Sequence, residues 1–453
     1  MKGLREPLLG KQETTLKALG QLALFAGPSV LSLFFQMSVE FINIFFIGNI
    51  DKYMLDGVGL GNMWGNITGI AIGWGLAGGL DTLCSQANGS GQLHMVGVWL
   101  QRALCILSFF FVGIAFAWIK TQDFLLSIGV TQVISEHAFV YLSHVLPGLW
   151  FFLAFDFYRR FLQSQGYFWP AVIVNFCTTT LHVFWNWLLV IYCGYNVEGA
   201  GIATSITYFS NFALIVLIIR VFSLDKKTCV GCDWSNFWPE VLKYLEYGIP
   251  AAGMVVLDYL NFEITQLEAN LLGAEVQAAH VSVLNTTSLL YMVPLGTSIA
   301  ISVIVGNLVG NEEQARAKLY SFASFLMIVI VMIPINLVLC LMRANWAELY
   351  SYDREVIDLI SQLIIPMCVF NIIDSIQTIL GGVLKGLARQ TSASIVIFIS
   401  YYVLSLPVGY MLAFWWELNI LGIWYGMILG ATSASITLGW LVYTSTWEAE
   451  TLS

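Results

Sequence analysis

Four carboxylates fall within one apolar stretch, L-E-Y-G-I-P-A-A-G-M-V-V-L-D-Y-L-N-F-E-I-T-Q-L-E-A-N-L-L-G over 245–273: Glu246, Asp258, Glu263 and Glu268. The stretch is long enough to cross a bilayer, for which about 20 residues suffice. A carboxylate near the middle of a membrane helix costs about 2.5–3.5 kcal/mol on insertion scales, so such a segment faces a cavity or the inside of a bundle. At about 100° per residue, Asp258, Asn261, Thr265 and Glu268 fall within about 80° of one another. Tyr259, Glu263, Gln266 and Asn270 form a second polar stripe. Two readings fit: an ion or substrate pathway, or buried hydrogen bonding between helices.

A second acid lies in N-I-I-D-S-I-Q-T-I-L-G-G-V-L-K-G, 371–386. Asn371, Asp374, Gln377, Thr378 and Gly381 share one helical face, and the glycines permit a close neighbour or a bend. Burial disfavours the charged form of a carboxylate. A group held near that balance can take up and release a proton during a cycle, as a proton-coupled transporter requires; a fixed hydrogen bond is the plainer alternative. Asn285, in V-L-N-T-T-S-L-L-Y-M-V-P, can hydrogen-bond a carboxylate in either protonation state. In the first half of the chain Glu40 and Asn43 lie one turn apart. Asp81 reads as a cap or network residue, and Asp156 as a partner for Arg159 and Arg160. His182 and Asn186, four apart on an apolar segment, read as hydrogen-bonded packing residues.

Several elements must position these residues. The chain of 453 residues is 58% hydrophobic with only 10% charged, against about 25% charged in soluble domains. Its mean hydropathy is +0.78. This is an all-α integral membrane protein. Twelve spans are predicted at 19–47, 57–86, 95–119, 131–158, 168–192, 199–222, 240–271, 276–309, 315–342, 355–384, 392–415 and 420–445. The polar start, M-K-G-L-R-E-P-L-L-G-K-Q-E-T-T, is not a cleavable signal peptide. With the N-terminus inside, fourteen Lys and Arg fall on the cytoplasmic side and four (Lys52, Lys120, Arg343, Arg354) on the other, which places both termini in the cytoplasm. The net charge of −9 is spread over short loops, with no basic patch for nucleic acid. Most of the eight cysteines sit in apolar spans. Cys229 and Cys232 form a lone C-x-x-C, too few ligands for zinc.

The longest internal polar segment divides the chain into an N-terminal six-helix lobe (1–222), a cytoplasmic linker (223–239) and a C-terminal six-helix lobe (240–453). Gly27-Pro28 opens the first span and Ile249-Pro250 the seventh. An even number of spans per half makes the repeat parallel, pseudo-twofold about the membrane normal, with a substrate site between the halves. Gly61, Gly65, Gly69 and Gly73 form an overlapping G-x-x-x-G ridge suited to close helix packing. The P-loop and H-E-x-x-H patterns are absent. The chain therefore reads as a transporter rather than an enzyme, without a cofactor, and driven by an ion gradient.

G-L-D-T-L-C-S-Q-A-N-G (79–89), Y-R-R-F-L-Q-S-Q (158–165), I-P…L-D-Y-L-N-F-E (249–263), Y-M-V-P-L-G-T-S-I-A-I-S-V-I-V-G-N-L-V-G (291–310) and G-G-V-L-K-G-L-A-R-Q (381–390) together resemble the multidrug and toxic compound extrusion (MATE) transporters. L-G-I-W-Y-G-M-I-L-G (421–430) extends the resemblance over essentially the whole chain, and L-N-T in the eighth span is similar to plant-like eukaryotic members. The resemblance implies twelve helices in two lobes around a central cavity, and export of organic cations, other xenobiotics or metabolites in exchange for H⁺ or Na⁺. It also implies proton-coupling acids in the C-terminal lobe. These match Asp258 (where Glu is usual), Glu263 and Asp374. Asn285 falls where plant-type members carry Asn and animal-type members Glu. Many prokaryotic members have an Asp five residues before the first-span glycine; here that position is Asn43, before Gly48, with Glu40 one turn away.

The resulting expectation is a monomeric, proton-driven exporter of a cationic small molecule, lodged in the plasma membrane or a vacuolar or other endomembrane. Asp258, Glu263 and Asp374 would couple to protons. Asn261, Asn285, Asn371, Gln377, Glu40 and Asn43 would support them or line the cavity. A Na⁺-coupled exporter and a lipid or lipid-linked oligosaccharide flippase are the alternatives; the latter group usually carries cationic cavity residues, whereas here the embedded charges are mainly acidic.

Overall fold

The computed structural model describes residues 14–228, 231 and 234–449; the Cys229/Cys232 pair lies outside the described residues. Among the described residues the chain forms twelve long helices: α1 Thr15–Gly48, α2 Lys52–Gly89, α3 Leu93–Ile119, α4 Gln132–Ser164, α5 Trp169–Tyr192, α6 Asn196–Val221, α7 Phe237–Leu271, α8 Ala274–Gly310, α9 Gln314–Leu341, α10 Arg354–Gly386, α11 Gln390–Trp415 and α12 Asn419–Thr444. Two short helices, Thr121–Ser127 and Arg343–Ala347, precede α4 and α10; the sequence reading had connections there. Eleven of the twelve are apolar enough to cross a membrane by hydropathy and low charge alone. The exception is α7, because its acids interrupt the apolar window. At 1.5 Å per residue its 35 residues reach about 52 Å, well beyond a hydrocarbon core of about 30 Å.

The backbone carries the internal repeat more clearly than the side chains do. Left-handed residues recur in pairs: Gly91 and Glu312, Gly166 and Ala388, Gly194 and Glu417, Asn196 and Asn419. The second member of each pair lies 221–223 residues after the first. Wide π-type turns end α5 (Trp187–Tyr192) and α11 (Met411–Trp415) at matching places, and helix-interior prolines match at Pro28 with Pro250. Helix packing repeats too: α4 packs on α2, α3 and α6 as α10 packs on α8, α9 and α12.

The chain divides into two compact units, but not at the loop. One unit is Leu31–Val256; the other joins Met1–Val30 to Leu257–Ser453. The start of α1 therefore belongs with the second half, and α7 up to Val256 with the first. Each exchange occurs just beyond the matching proline, and glycine makes it possible. A Cβ on Gly75 of α2 would stand 2.8 Å from Ala252 N, and a Cβ on Gly296 of α8 would stand 2.7 Å from Val30 N. Only a residue without a side chain allows so close an approach. In the first unit Tyr244 Oη donates to Leu76 O at 2.8 Å, and Arg102 pairs with Glu240 at 2.8 Å, so the start of α7 is fixed to α2 and α3. In the second, Tyr320 hydrogen-bonds Gln21 of α1. The glycine ridge is a packing surface: Gly61 faces Tyr141 and Ala138 of α4, Gly73 faces Leu153, and Gly65 and Gly69 face Trp118 of α3.

Candidate functional site

The strongest polar constellation lies inside the second unit, where α7, α8, α10 and α11 meet. Asp258 lies two residues beyond the point at which α7 changes unit. Asp374 is buried on α10, between Asn371 one turn before and Gln377 one turn after, both also buried. Asp258 and Asp374 act on each other electrostatically, and Lys385 of α10 acts on Asp258. Tyr401 of α11, 3% exposed, donates its hydroxyl to Gln377 Oε1 at 2.9 Å, and Asp374 acts on it electrostatically. Tyr291 of α8 feels both aspartates. Tyr402 Oη donates to Leu257 O at 2.8 Å, tying α11 to the α7 backbone beside Asp258.

This geometry has a chemical consequence. A phenol has one proton to donate; Tyr401 gives it to Gln377, in the field of Asp374. Two orphan polar atoms flank the pair. Asn261 Oδ1, one turn beyond Asp258 on α7, and Asn371 Nδ2, one turn before Asp374 on α10, are buried without a partner. Phe262 and Phe370 pack edge to face between the same helices, with ring centroids 6.2 Å apart. Farther along α7, Glu268 has one buried oxygen without a partner.

Not every residue singled out by sequence joins this group. Glu263 lies about 140° round α7 from Asp258; it accepts from Gln266 Nε2 at 3.2 Å and is not among the groups acting on Asp258. Asn285 is exposed on α8 rather than bonded to a carboxylate. Glu246 is exposed on the part of α7 that packs with the first unit. Sequence reasoning did not single out Tyr401 or Tyr291. The adjacent Tyr401-Tyr402 in I-S-Y-Y-V-L-S was the available signal. Both fall in a wide turn of α11, Ile399–Ser405, of a kind frequent at functional sites. His280 was also missed; it is buried against Trp424, with both ring nitrogens unpartnered.

The first unit holds a different, neutral network. Asn43 Nδ2 donates to Thr204 Oγ1 at 2.8 Å and to Tyr141 Oη at 3.1 Å. Asn43 Oδ1 is 3.0 Å from His182 Nε2 and accepts from Asn186 Nδ2 at 3.1 Å, while His182 Nδ1 meets Thr207 Oγ1 at 2.8 Å. All are buried, so Asn43, His182 and Asn186 join α1, α5 and α6 through one cluster. Glu40 stands outside it and lines a separate small cavity. Nearer the end of α2, Asp156 accepts from Arg159 Nε at 2.9 Å and Arg160 Nε at 2.8 Å, and Arg160 also pairs with Asp81.

A chain of two matching six-helix repeats, with paired carboxylates buried in one of them, has the architecture of a secondary membrane transporter. The family model described as MatE matches twice, over residues 28–188 and 250–411, beginning each time at the proline that opens a repeat. The chain is 29% identical over 450 residues to Protein DETOXIFICATION 16 of Arabidopsis thaliana, covering 98% of this chain and 92% of that protein. It is 29% identical over 432 residues to Multidrug and toxin extrusion protein 1 of Danio rerio, covering 95% and 73%. The crystal structure of the eukaryotic MATE transporter AtDTX14 superposes with a TM-score of 0.92 at 24% identity, covering 97% of this chain and 98% of that one. This chain belongs to the MatE family, as a plant-like multi-pass membrane transporter rather than an enzyme.

Proposed function

We propose that the protein is a proton-driven exporter of organic cations or related xenobiotics and metabolites, and that Asp258 and Asp374 are its coupling acids. The observation that carries this reading is the buried pair itself: two carboxylates on α7 and α10, acting on each other, with the Tyr401 hydroxyl, bonded to Gln377, acted on by Asp374. Ionised, the pair is a concentration of negative charge offset in part by Lys385, and it favours a cationic guest. A proton arriving from the outer side cancels one charge and weakens the hold on the guest. Because α7 belongs to one unit before Val256 and to the other from Leu257, a change at Asp258 acts close to the exchange point of that helix. Alternating access follows if this change alters how the α7 segments pack. Glu263 has an accessory role in this scheme, since its partner is Gln266. The excess of Lys and Arg on one side supports a topology with both termini cytoplasmic, and the protein acts as a monomer.

Proton and cation should oppose each other's binding by the same factor, since they share one electrostatic site. The test is the affinity of the purified protein for a fluorescent organic cation, measured against pH without Na⁺. Affinity should fall as pH falls in the wild type and become independent of pH in the Asp258→Asn, Asp374→Asn double variant. A cation affinity in the wild type that does not vary with pH would remove this mechanism.

A further inference from the structure

The second unit carries a buried histidine that the proposed coupling scheme does not use. His280 lies near the start of α8 (Ala274–Gly310) and is fully buried. Neither ring nitrogen has a partner. Its ring meets Trp424 of α12 edge to face, with centroids 5.7 Å apart. Trp424 meets Phe370 of α10 at 5.9 Å, and Phe370 meets Phe262 of α7 at 6.2 Å, both again edge to face. The rings thus form one row across α8, α12, α10 and α7.

The row has a definite level relative to the aspartates. Phe262 lies one turn after Asp258 on α7, and Phe370 one turn before Asp374 on α10. Successive spans alternate in direction, so both steps, about 6 Å each, lead toward the α7–α8 connection. His280 and Trp424 stand near the starts of α8 and α12, on that same side. The row therefore lies on the α7–α8 side of the aspartate pair. With both termini cytoplasmic, that side is the outer one, from which the driving proton comes.

Both nitrogens of His280 and the indole nitrogen of Trp424 are buried in this row without a partner. Asn261 Oδ1 and Asn371 Nδ2, adjacent in sequence to Phe262 and Phe370, are orphans at the same level. An unpaired polar group in an apolar interior is costly, and a phenyl ring in place of His280 would fill the row without that cost. Packing therefore does not account for an imidazole here. A neutral imidazole carries a proton on one nitrogen and a lone pair on the other, so His280 alone among these rings both accepts and donates a proton. The charged residues on the same half of the surrounding helices are Glu263 and Glu268 of α7, Glu275 of α8 and Arg354, Glu355 and Asp358 of α10; α9, α11 and α12 carry none there. Among the described residues no charged group acts on His280, so no fixed ion partner holds the ring in one protonation state.

We propose that His280 relays protons across the aromatic row, from the α7–α8 side to the Asp258–Asp374 pair. The relay rests on the proton coupling proposed above. Water carries the proton to and from the ring. A proton joins the unprotonated nitrogen, the proton on the other nitrogen leaves to an aspartate carboxylate, and the neutral ring returns by reversing its tautomer. Only N–H and O–H bonds form and break. The role is kinetic: His280 sets the rate at which protons reach the pair and leaves the pair's equilibrium with the cation unchanged.

The experiment uses the full chain in proteoliposomes and compares wild type with His280→Phe in Na⁺-free buffer. Gradient-driven efflux of a fluorescent organic cation should slow about tenfold or more in His280→Phe. The pH dependence of the same cation's equilibrium affinity should match the wild type. The thermal midpoint should hold or rise, since the orphan imidazole nitrogens are gone. Wild-type efflux rates in His280→Phe overturn the relay, as does loss of the pH dependence at equilibrium. Should the midpoint fall, His280→Gln decides: it keeps a donor and an acceptor but does not exchange one for the other. Slow efflux in His280→Gln supports the relay, and restored efflux overturns it. A wild type that ignores the pH gradient removes the proton coupling and the relay with it; a wild type that responds, beside an unimpaired His280→Phe, removes the relay alone.

Discussion

Asp156→Asn should be among the most destabilising single-atom changes in this protein, and its cost can be worked from the geometry. Asp156 is fully buried, as is Arg159, and Arg160 is 7% exposed. The carboxylate accepts from both guanidinium groups, and Arg160 bridges onward to Asp81 of α2 and to Trp74 O at 3.3 Å. Two arginines and two aspartates make the cluster neutral. An amide in place of Asp156 leaves one excess positive charge and points an N–H donor at a guanidinium. Breaking a buried pair on one side costs about 3–5 kcal/mol. An unfolding entropy of about 2.1 cal/mol/K per residue, applied to 453 residues, converts this to a fall of about 3–5 °C in the unfolding midpoint. The fall will be larger if the helices persist on unfolding. The internal control is Asp123, which pairs with Lys120 at 2.9 Å with both side chains more than half exposed; Asp123→Asn should cost about 0–1 kcal/mol. The companion variant Asp156→Asn with Arg159→Met restores neutrality and should recover most of the loss. The assay is thermal unfolding of purified protein followed by size-exclusion chromatography. Equal midpoints for Asp156→Asn and Asp123→Asn, or a double variant worse than the single one, would refute the reasoning.

Gly75→Ala should lower the same midpoint, since its Cβ would press on the Ala252 backbone at an overpacking cost of about 1–3 kcal/mol. Gly113→Ala, with open space around it, should leave stability unchanged or raise it by up to about 1 kcal/mol. Ala388, held at φ 64° where its counterpart Gly166 has φ 86°, should gain about 1 kcal/mol on substitution by Gly, which removes the left-handed Cβ penalty; a lower midpoint would count against the repeat-based comparison. Asp258→Asn should abolish gradient-driven export in reconstituted vesicles, whereas Glu263→Gln should only reduce it, so equal losses would bring Glu263 into the coupling pair. Tyr401→Phe should reduce the pH dependence of cation binding by up to about tenfold, the worth of a typical hydrogen bond, without unfolding the protein.

The twelve helices were legible because membrane spans need only length and apolar content, and the acids of α7 were legible because each is costly and therefore conspicuous. Hydropathy alone would have lost α7 to those same acids. The face shared by Asn371, Asp374 and Gln377 followed from helical spacing. What spacing cannot give is which residue arrives from another helix. Tyr401 is 24 residues from Gln377 and was not singled out; His182 meets Asn43 across 139 residues and looked like packing. The compact units exchange helix ends for a related reason. The loop at 223–239 is the obvious polar break, but the contacts that assign Thr15–Val30 to the second half depend on Gly296 admitting Val30. That is a tertiary event with no local signature beyond the two glycines themselves. Asn285 was chosen for its type and place on α8, yet the side it faces is exposed.

The most direct test of the central claim is efflux of a cationic dye from proteoliposomes under an imposed pH gradient in Na⁺-free buffer, comparing wild type with Asp374→Asn at matched reconstitution. Acidifying the side opposite the dye should accelerate wild-type efflux and leave the Asp374→Asn rate at its ungradiented value. Wild-type efflux that requires Na⁺ and ignores the pH gradient, or an Asp374→Asn variant that responds to the gradient as the wild type does, would contradict proton coupling through the buried aspartate pair.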